Sequence, residues 1–205
     1  MSRLKNKLKL LLFKISPHLA LALGVEFPLK SANRLFLENE IFGFLNTFFK
    51  QRPEGARCLF LGTDKRSWHY PKLLAAQFFT MDIEPKKAIY GHHGYHTIGS
   101  AAALAQHYEP HSFDVIIANG LIGFGMNQQP DCDALLAGSH ALLKKNGLLV
   151  LGYNDGVEFV NFKVREVANY KLFEEFVPNH LALTSSQYEF GDHTFVFLKP
   201  IQLSA

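Results

Sequence analysis

The stretch Cys58-Leu-Phe-Leu-Gly-Thr-Asp-Lys-Arg66 decides the fold of this chain. Its four apolar residues run directly into Gly62, which is the pattern of a short strand buried on both faces. A second apolar run ends at Thr80-Met-Asp82, so that Asp82 follows Gly62 by twenty residues. Two such runs at this spacing predict neighbouring parallel strands of an α/β domain.

The alternation of strands and helices continues along the chain. Further strands are predicted near 95–98, 113–119 and 147–152, and helices near 31–50, 70–77, 101–107 and 131–145. A helical stretch over 160–167 and an apolar segment over 173–177 follow, and then two strand-like runs flank the turn Gly191-Asp192. The fold class predicted is α/β, with a doubly wound, mostly parallel sheet that ends in an antiparallel hairpin.

Residues 1–28 differ in charge from the rest of the 205-residue chain. Five basic residues precede the first acidic residue, Glu26, although the formal net charge of the chain is only +3. The remainder holds 16 basic and 18 acidic residues, which argues against nucleic acid as a partner because no basic face is evident. We therefore divide the chain into a basic extension, 1–28, and an α/β domain, 29–205.

Residues 3–15 predict an amphipathic helix. Its apolar positions are Leu4, Leu8, Leu11, Leu12 and Ile15. It is too short to span a bilayer. It could bind anionic lipid peripherally, pack on the domain or join a homodimer, whereas a secretory signal is disfavoured by Lys9 and Lys14. Two cysteines without disulfide or metal spacing indicate a reducing compartment, so the expected location is the cytoplasm, including the inner face of a membrane.

The ends of the predicted strands define a candidate site, because a doubly wound sheet binds its ligand beyond the carboxyl ends of its strands. Gly62 lets a ligand approach the backbone at the end of the first strand. Asp82 is placed to accept both hydroxyls of a ribose. The alternative for Asp82 is a turn or helix-cap carboxylate, since Pro85 follows in an apparent helix start.

The loop after Gly62 distinguishes between two kinds of nucleoside ligand. A dinucleotide pyrophosphate needs the spacing G-x-G-x-x-G, and here Asp64, Lys65 and Arg66 occupy the loop. S-adenosylmethionine has no phosphate, and its carboxylate and ammonium could pair with Lys65 or Arg66 and with Asp64. A solvated turn is the alternative for these charges.

As an ordered set, four segments resemble the class I S-adenosylmethionine-dependent methyltransferases. They are Cys58–Arg66, Thr80–Pro85, Ser112–Asn119 and Leu142–Leu151. The resemblance covers about residues 55–155 and implies a seven-stranded Rossmann-like sheet, S-adenosylmethionine as the cofactor and methyl transfer as the activity. The cofactor-binding residues it suggests are Gly62, Thr63, Asp64, Asp82, Ile83, Ser100 and Asn119.

The chain departs from the family pattern at two points. Phe60 stands where the family usually has an acidic residue, and the glycine-rich loop is reduced to Gly62. These departures keep open a binding or scaffold protein that has the fold without catalysis. A nicotinamide-dependent oxidoreductase is a further alternative, because it shares the strand–loop–helix plan.

Three residues are candidates for the chemistry of methyl transfer. Asn119 ends the fourth strand, where the family faces the transferred methyl group, and could hold the acceptor. His93 and His96, in Tyr90-Gly-His-His-Gly-Tyr-His96, could act as a base, or could belong to a polar surface loop. No metal site is predicted. The acceptor is expected to be a small molecule or a lipid-linked compound.

Overall fold

The computed structural model describes residues 2–27, 29–52 and 54–202. The described residues form eight strands of a single sheet: β1 Arg57–Leu61, β2 Gln77–Asp82, β3 His96–Ile98, β4 Phe113–Asn119, β5 Leu143–Tyr153, β6 Phe173–Glu175, β7 Gln187–Phe190 and β8 His193–Pro200. The strand order is β3-β2-β1-β4-β5-β8-β6, with β7 also paired to β8. Since the chain winds outward in opposite directions from β1 and β4, a crevice opens between their carboxyl ends.

The antiparallel end of the sheet has the hairpin that the sequence predicts. The five strands from β3 to β5 are parallel, and β8 runs antiparallel to β5. β7 pairs with the first half of β8 and β6 with its last residues. The eight strands therefore fill seven positions across the sheet, and the predicted fold class is confirmed.

The described helices are α1 Ser2–Ile15, α2 Pro17–Ala22, α3 Ala32–Phe36, α4 Phe42–Lys50 and α5 Gln129–Leu142; a π-helical turn, Leu37–Ile41, joins α3 to α4. Residues of β1 alternate between the two faces of the sheet, as the strand pleat requires. Leu59 and Leu61 pack in the cluster that contains residues of α5, and Cys58 and Phe60 pack in the cluster that contains residues of α4. Both faces of the sheet are therefore covered.

Three segments predicted to be helical, near 70–77, 101–107 and 160–167, contain only short 3₁₀ turns. The observed turns are Tyr70–Lys72, Ala101–Gln106 and Val164–Glu166; two more are Pro85–Tyr90 and Ala168–Leu172. Each of the first three buries one apolar anchor in the core, Tyr70, Leu104 or Val164. A single anchor needs only one turn, and segments this short gain little from extending an α-helix.

The N-terminal helix packs on the domain. Phe13 of α1 is buried, with its ring centroid 4.6 Å from that of Trp68 in an edge-to-face contact and 5.4 Å from that of Tyr90 in a stacked contact. Leu8, Leu11 and Ile15 lie on another face of α1 and are exposed. Within the described ranges, none of the helices has the length and apolarity required to cross a bilayer.

Candidate functional site

A cavity of about 630 Å³ lies at the carboxyl ends of β1, β2 and β4. Its size falls within the usual range for small-molecule sites. All seven residues predicted to bind a cofactor line it: Gly62, Thr63, Asp64, Asp82, Ile83, Ser100 and Asn119. The structure thus brings together residues that are separated by up to 57 positions in the sequence.

Gly62 carries the chain out of β1 into the cavity wall. Its φ of +82° lies in the left-handed region, which favours glycine. Its N–H donates to the Met81 carbonyl at 2.8 Å, which ties the loop to the end of β2. A Cβ at this position would lie 2.8 Å from Leu121 Cδ2. Any side chain here would therefore strain the turn and crowd the cavity wall.

The Asp82 carboxylate is buried and held on both oxygens. Oδ2 accepts the Thr63 backbone N–H at 2.7 Å, and Oδ1 accepts the Glu84 backbone N–H at 2.9 Å. Lys87 Nζ lies 3.8 Å from Oδ2. The turn role considered from the sequence is therefore present. The Thr63 hydroxyl also lies 3.5 Å from Oδ2. Because each carboxylate oxygen has about two lone-pair positions and Oδ1 has a single donor, Oδ1 retains room for a further donor such as a ribose hydroxyl.

The loop after Thr63 is a turn closed by Asp64. Asp64 Oδ1 accepts the backbone N–H groups of Arg66 at 2.6 Å and Ser67 at 3.1 Å. This arrangement is the side-chain turn that aspartate commonly forms. Asp64 and Arg66 both line the cavity, whereas Lys65 does not. Of the two basic residues considered for a ligand carboxylate, only Arg66 is in position.

Ser100 and Ile83 lie on the β2–β3 side of the cavity. Ser100 Oγ accepts the Ala102 N–H at 3.2 Å and so caps the turn that follows β3. Ile83 is 66% exposed, although it is a large apolar side chain that directly follows Asp82. An exposed apolar surface beside an oriented carboxylate suits a nucleoside, whose base is flat and apolar and whose sugar carries hydroxyls.

Asn119 ends β4, and its side chain lies over Gly152 in β5. The two residues are cross-strand neighbours. A Cβ on Gly152 would lie 2.2 Å from Asn119 Oδ1, so glycine is required for this packing. Asn119 Oδ1 is buried and has no hydrogen-bond partner.

His193 was not predicted to belong to the candidate site. It lines the cavity, is only 5% exposed, and its Nδ1 lies 2.7 Å from Asn154 Oδ1. Burial, and secondarily the positive charge of Arg34, lowers the pKa of His193 to about 4. No motif marks this histidine. It reaches the cavity because β8 is antiparallel and begins at the carboxyl end of β5.

Arg34 contributes positive charge to the same cavity from α3. Its Nη1 donates to the Tyr70 hydroxyl, which donates in turn to Glu38 Oε1 at 3.0 Å. None of the ion pairs among the described residues includes Arg34. Its charge is therefore not balanced by a direct carboxylate contact in that part of the chain.

The two histidines predicted as bases, His93 and His96, do not line the cavity. His96 lies on the edge strand β3, where its Nδ1 is 3.0 Å from Thr80 Oγ1 and burial lowers its pKa. This geometry gives the predicted base role no support. Across the described residues, no cluster of three or more histidine, cysteine or acidic side chains is arranged to hold a metal ion.

Solved structures share this architecture. A TehB-like SAM-dependent methyltransferase from Corynebacterium glutamicum aligns with a TM-score of 0.57, over 82% of this chain and 93% of that one, at 21% identity. TrmN from Thermus thermophilus aligns with a TM-score of 0.54, over 78% of this chain and 48% of that one, at 16% identity. The N-methyltransferase NodS from Bradyrhizobium japonicum aligns with a TM-score of 0.50, over 81% of this chain and 100% of that one, at 13% identity.

At the level of sequence, no family model and no curated protein matches the chain. The similarity to known proteins therefore lies in the fold. The chain has the fold of the class I S-adenosylmethionine-dependent methyltransferases.

Proposed function

We propose that this protein is an S-adenosylmethionine-dependent methyltransferase. The observation that carries the proposal is the Asp82 carboxylate, which backbone N–H groups hold at the wall of a cavity in the crevice of a methyltransferase fold. A fixed carboxylate acceptor at the end of β2 suits the two hydroxyls of a ribose. Hydrogen bonds to such a charged acceptor contribute about 1.5–3 kcal/mol each.

The other residues in the cavity fit the rest of the cofactor. Ile83 offers apolar surface for the adenine, and Arg66 can pair with the methionine carboxylate. Gly62 lets the ligand approach the backbone between these two groups. When bound, S-adenosylmethionine would supply an electrophilic methyl group, while Asn119 would orient the acceptor for in-line attack.

The exposed side chain of Ile83 allows a test that leaves the fold intact. We expect Ile83→Ala to weaken binding of S-adenosylhomocysteine about five- to thirtyfold, because it removes roughly 1–2 kcal/mol of apolar contact with the base. Isothermal titration calorimetry measures this change. Ile89→Ala is the matched control, since Ile89 is 41% exposed in the next turn and does not line the cavity.

Equal affinities for the two variants and the wild type would contradict this placement of the adenine. The two alternative functions predict different ligand binding in the same titration. An inactive protein with the fold, favoured by Phe60 and the reduced glycine loop, would bind no S-adenosylmethionine. A nicotinamide-dependent oxidoreductase would bind NAD in preference to S-adenosylhomocysteine.

The position of α1 supports an acceptor at or near a membrane. Phe13 packs on Trp68, which is the neighbour in sequence of the cavity-lining residue Ser67. The exposed Leu8, Leu11 and Ile15 lie on a helix that carries basic residues and no acidic ones. We propose that this face contacts anionic lipid at the inner side of a membrane, with a small or lipid-linked molecule as the methyl acceptor.

A further inference from the structure

Two buried polar atoms in the cavity wall need a hydrogen-bond donor. Nine buried side-chain nitrogen or oxygen atoms of the described residues have no hydrogen-bond partner. Of these nine, only Asn119 Oδ1 and His193 Nε2 belong to residues that line the cavity. Since an unpaired buried polar atom costs stability, a pair of them in one wall indicates a ligand contact.

Gly152 brings the two atoms together. It lies in β5 between β4 and β8, and an added Cβ would be 2.2 Å from Asn119 Oδ1 and 3.0 Å from His193 Nε2. Both side chains therefore fold over the same glycine from opposite strands. A ligand group that reaches one of these atoms is within reach of the other.

Both atoms are hydrogen-bond acceptors. The Asn154 amide oxygen cannot donate, so the contact between His193 Nδ1 and Asn154 Oδ1 places the imidazole proton on Nδ1. His193 Nε2 is then left with a lone pair. Asn119 Oδ1 is a carbonyl oxygen and also only accepts. The matching ligand group must supply two hydrogens.

The electrostatics of this corner favour a neutral ligand group. Burial and the charge of Arg34 hold His193 in its neutral form, and the same two effects disfavour an ammonium ion bound at Nε2. An aliphatic amine is an ammonium ion at neutral pH and would be disfavoured. A hydroxyl is neutral but supplies one hydrogen. An amino group on an aromatic ring is neutral and supplies two.

Aromatic side chains line the cavity, and one of them contacts His193. Phe195 follows His193 by two residues on β8, and its ring centroid lies 4.6 Å from that of the imidazole. Phe60 and Phe124 also line the cavity. Flat apolar surfaces of this kind are suited to an aromatic ring.

We propose that the methyl acceptor is a neutral aromatic amine, whose two N–H groups bind His193 Nε2 and Asn119 Oδ1. This inference rests on the proposed function. In the reaction, the carbon–sulfur bond of the sulfonium breaks with its electron pair left on sulfur, while the nitrogen lone pair forms the new nitrogen–carbon bond. His193 Nε2 accepts the proton that the methylated nitrogen then loses, and passes it to solvent on product release.

The low basicity of His193 agrees with this acceptor. A histidine with a pKa near 4 is too weak a base to ionise an alcohol or an aliphatic ammonium ion. A methylated aromatic ammonium ion is a much stronger acid, because its neutral form shares the nitrogen lone pair with the ring. The proton transfer therefore needs only a weak base.

Nuclear magnetic resonance on the full chain saturated with S-adenosylhomocysteine tests the proposal. Aniline is the probe, and toluene and benzylamine are controls of similar size that lack the amino group or carry it as a cation. We expect the His193 imidazole to be protonated on Nδ1. Aniline should shift its Nε2 nitrogen resonance, and toluene should leave that resonance unchanged. Benzylamine should bind the wild-type protein about tenfold more weakly than aniline does. The His193→Phe variant should bind aniline about tenfold more weakly than wild type does.

The readouts separate this inference from the proposed function. If wild-type protein binds no S-adenosylhomocysteine, the proposed function fails. If it binds S-adenosylhomocysteine but aniline and toluene leave the same Nε2 resonance, only the acceptor inference fails. Binding of S-adenosylhomocysteine by His193→Phe verifies that this variant is folded. If the variant does not fold, the effect of aniline on the wild-type Nε2 resonance is by itself the test of the acceptor.

Discussion

The buried imidazole of His193 makes the stability of the folded protein depend on pH. Its pKa is about 4 in the folded protein and near its usual 6.5 when the chain is unfolded. Between these values the unfolded chain binds a proton that the native protein does not, so stability falls as pH drops from 6.5 towards 4. The full loss from this group is about 3 kcal/mol.

Urea unfolding of wild type and His193→Gln, each measured between pH 7.5 and 4.5, isolates this contribution. We expect wild type to lose more unfolding free energy than the variant as the pH falls. Burial also lowers the pKa values of His69 and His96, but both proteins share those terms. Parallel curves would contradict a buried, neutral His193 beside Arg34.

The helix α1 packs on the domain with one face and exposes another. Phe13 attaches the helix to Trp68, and the outward face exposes Leu8 by 58%, Leu11 by 54% and Ile15 by 73%. We expect the triple change of these three residues to serine to weaken binding to phosphatidylglycerol-containing vesicles at least about tenfold, because three apolar side chains no longer enter the lipid. Vesicle co-sedimentation measures the bound fraction.

Phe159→Ser is the matched control for that experiment, since Phe159 is exposed at a site remote in sequence from α1. Wild-type binding should fall at high salt and be weak on vesicles of phosphatidylcholine alone, because the lysines of α1 need an anionic surface. Binding that survives the triple change, or that is equal on neutral vesicles, would contradict the lipid contact.

The central strands were predictable because they are apolar runs that end at a turn signal. Cys58–Leu61 and Phe113–Asn119 are of this kind, and both lie in strands as expected. The 3₁₀ turns were not predictable from periodicity, because one buried anchor such as Tyr70 or Leu104 looks the same in a sequence as part of a helical stripe. Length and packing decide between the two.

Some residues of the candidate site could be predicted from the sequence, and others could not. Residues at the ends of parallel strands, such as Gly62, Asp82 and Asn119, were predictable because parallel strands end at one edge of the sheet. His193 was not, because it begins a strand, and only the antiparallel direction of β8 brings that end to the cavity. Arg34 comes from a helix that precedes the sheet, and no spacing rule connects it to the site.

At the scale of the whole molecule, the topology assembles one cavity from distant parts of the chain. The segment before α3, the ends of β1, β2 and β4, and the start of β8 all contribute to its wall. The outward face of α1 contributes no residue to that wall, so that the proposed lipid-binding face and the cavity are built from different residues. This separation allows each to be altered without the other.

Calorimetric titration of the wild-type protein with S-adenosylhomocysteine, S-adenosylmethionine and NAD tests whether the cavity binds S-adenosylmethionine. We expect binding of the first two ligands, no binding of NAD, and about tenfold or greater loss of affinity in Asp82→Ala, because the ribose hydroxyls lose a charged acceptor. A melting curve of Asp82→Ala checks that the variant is folded, since Asp82 also holds the Thr63 loop. If the wild-type protein binds neither S-adenosylhomocysteine nor S-adenosylmethionine, it is not a methyltransferase that uses this cofactor.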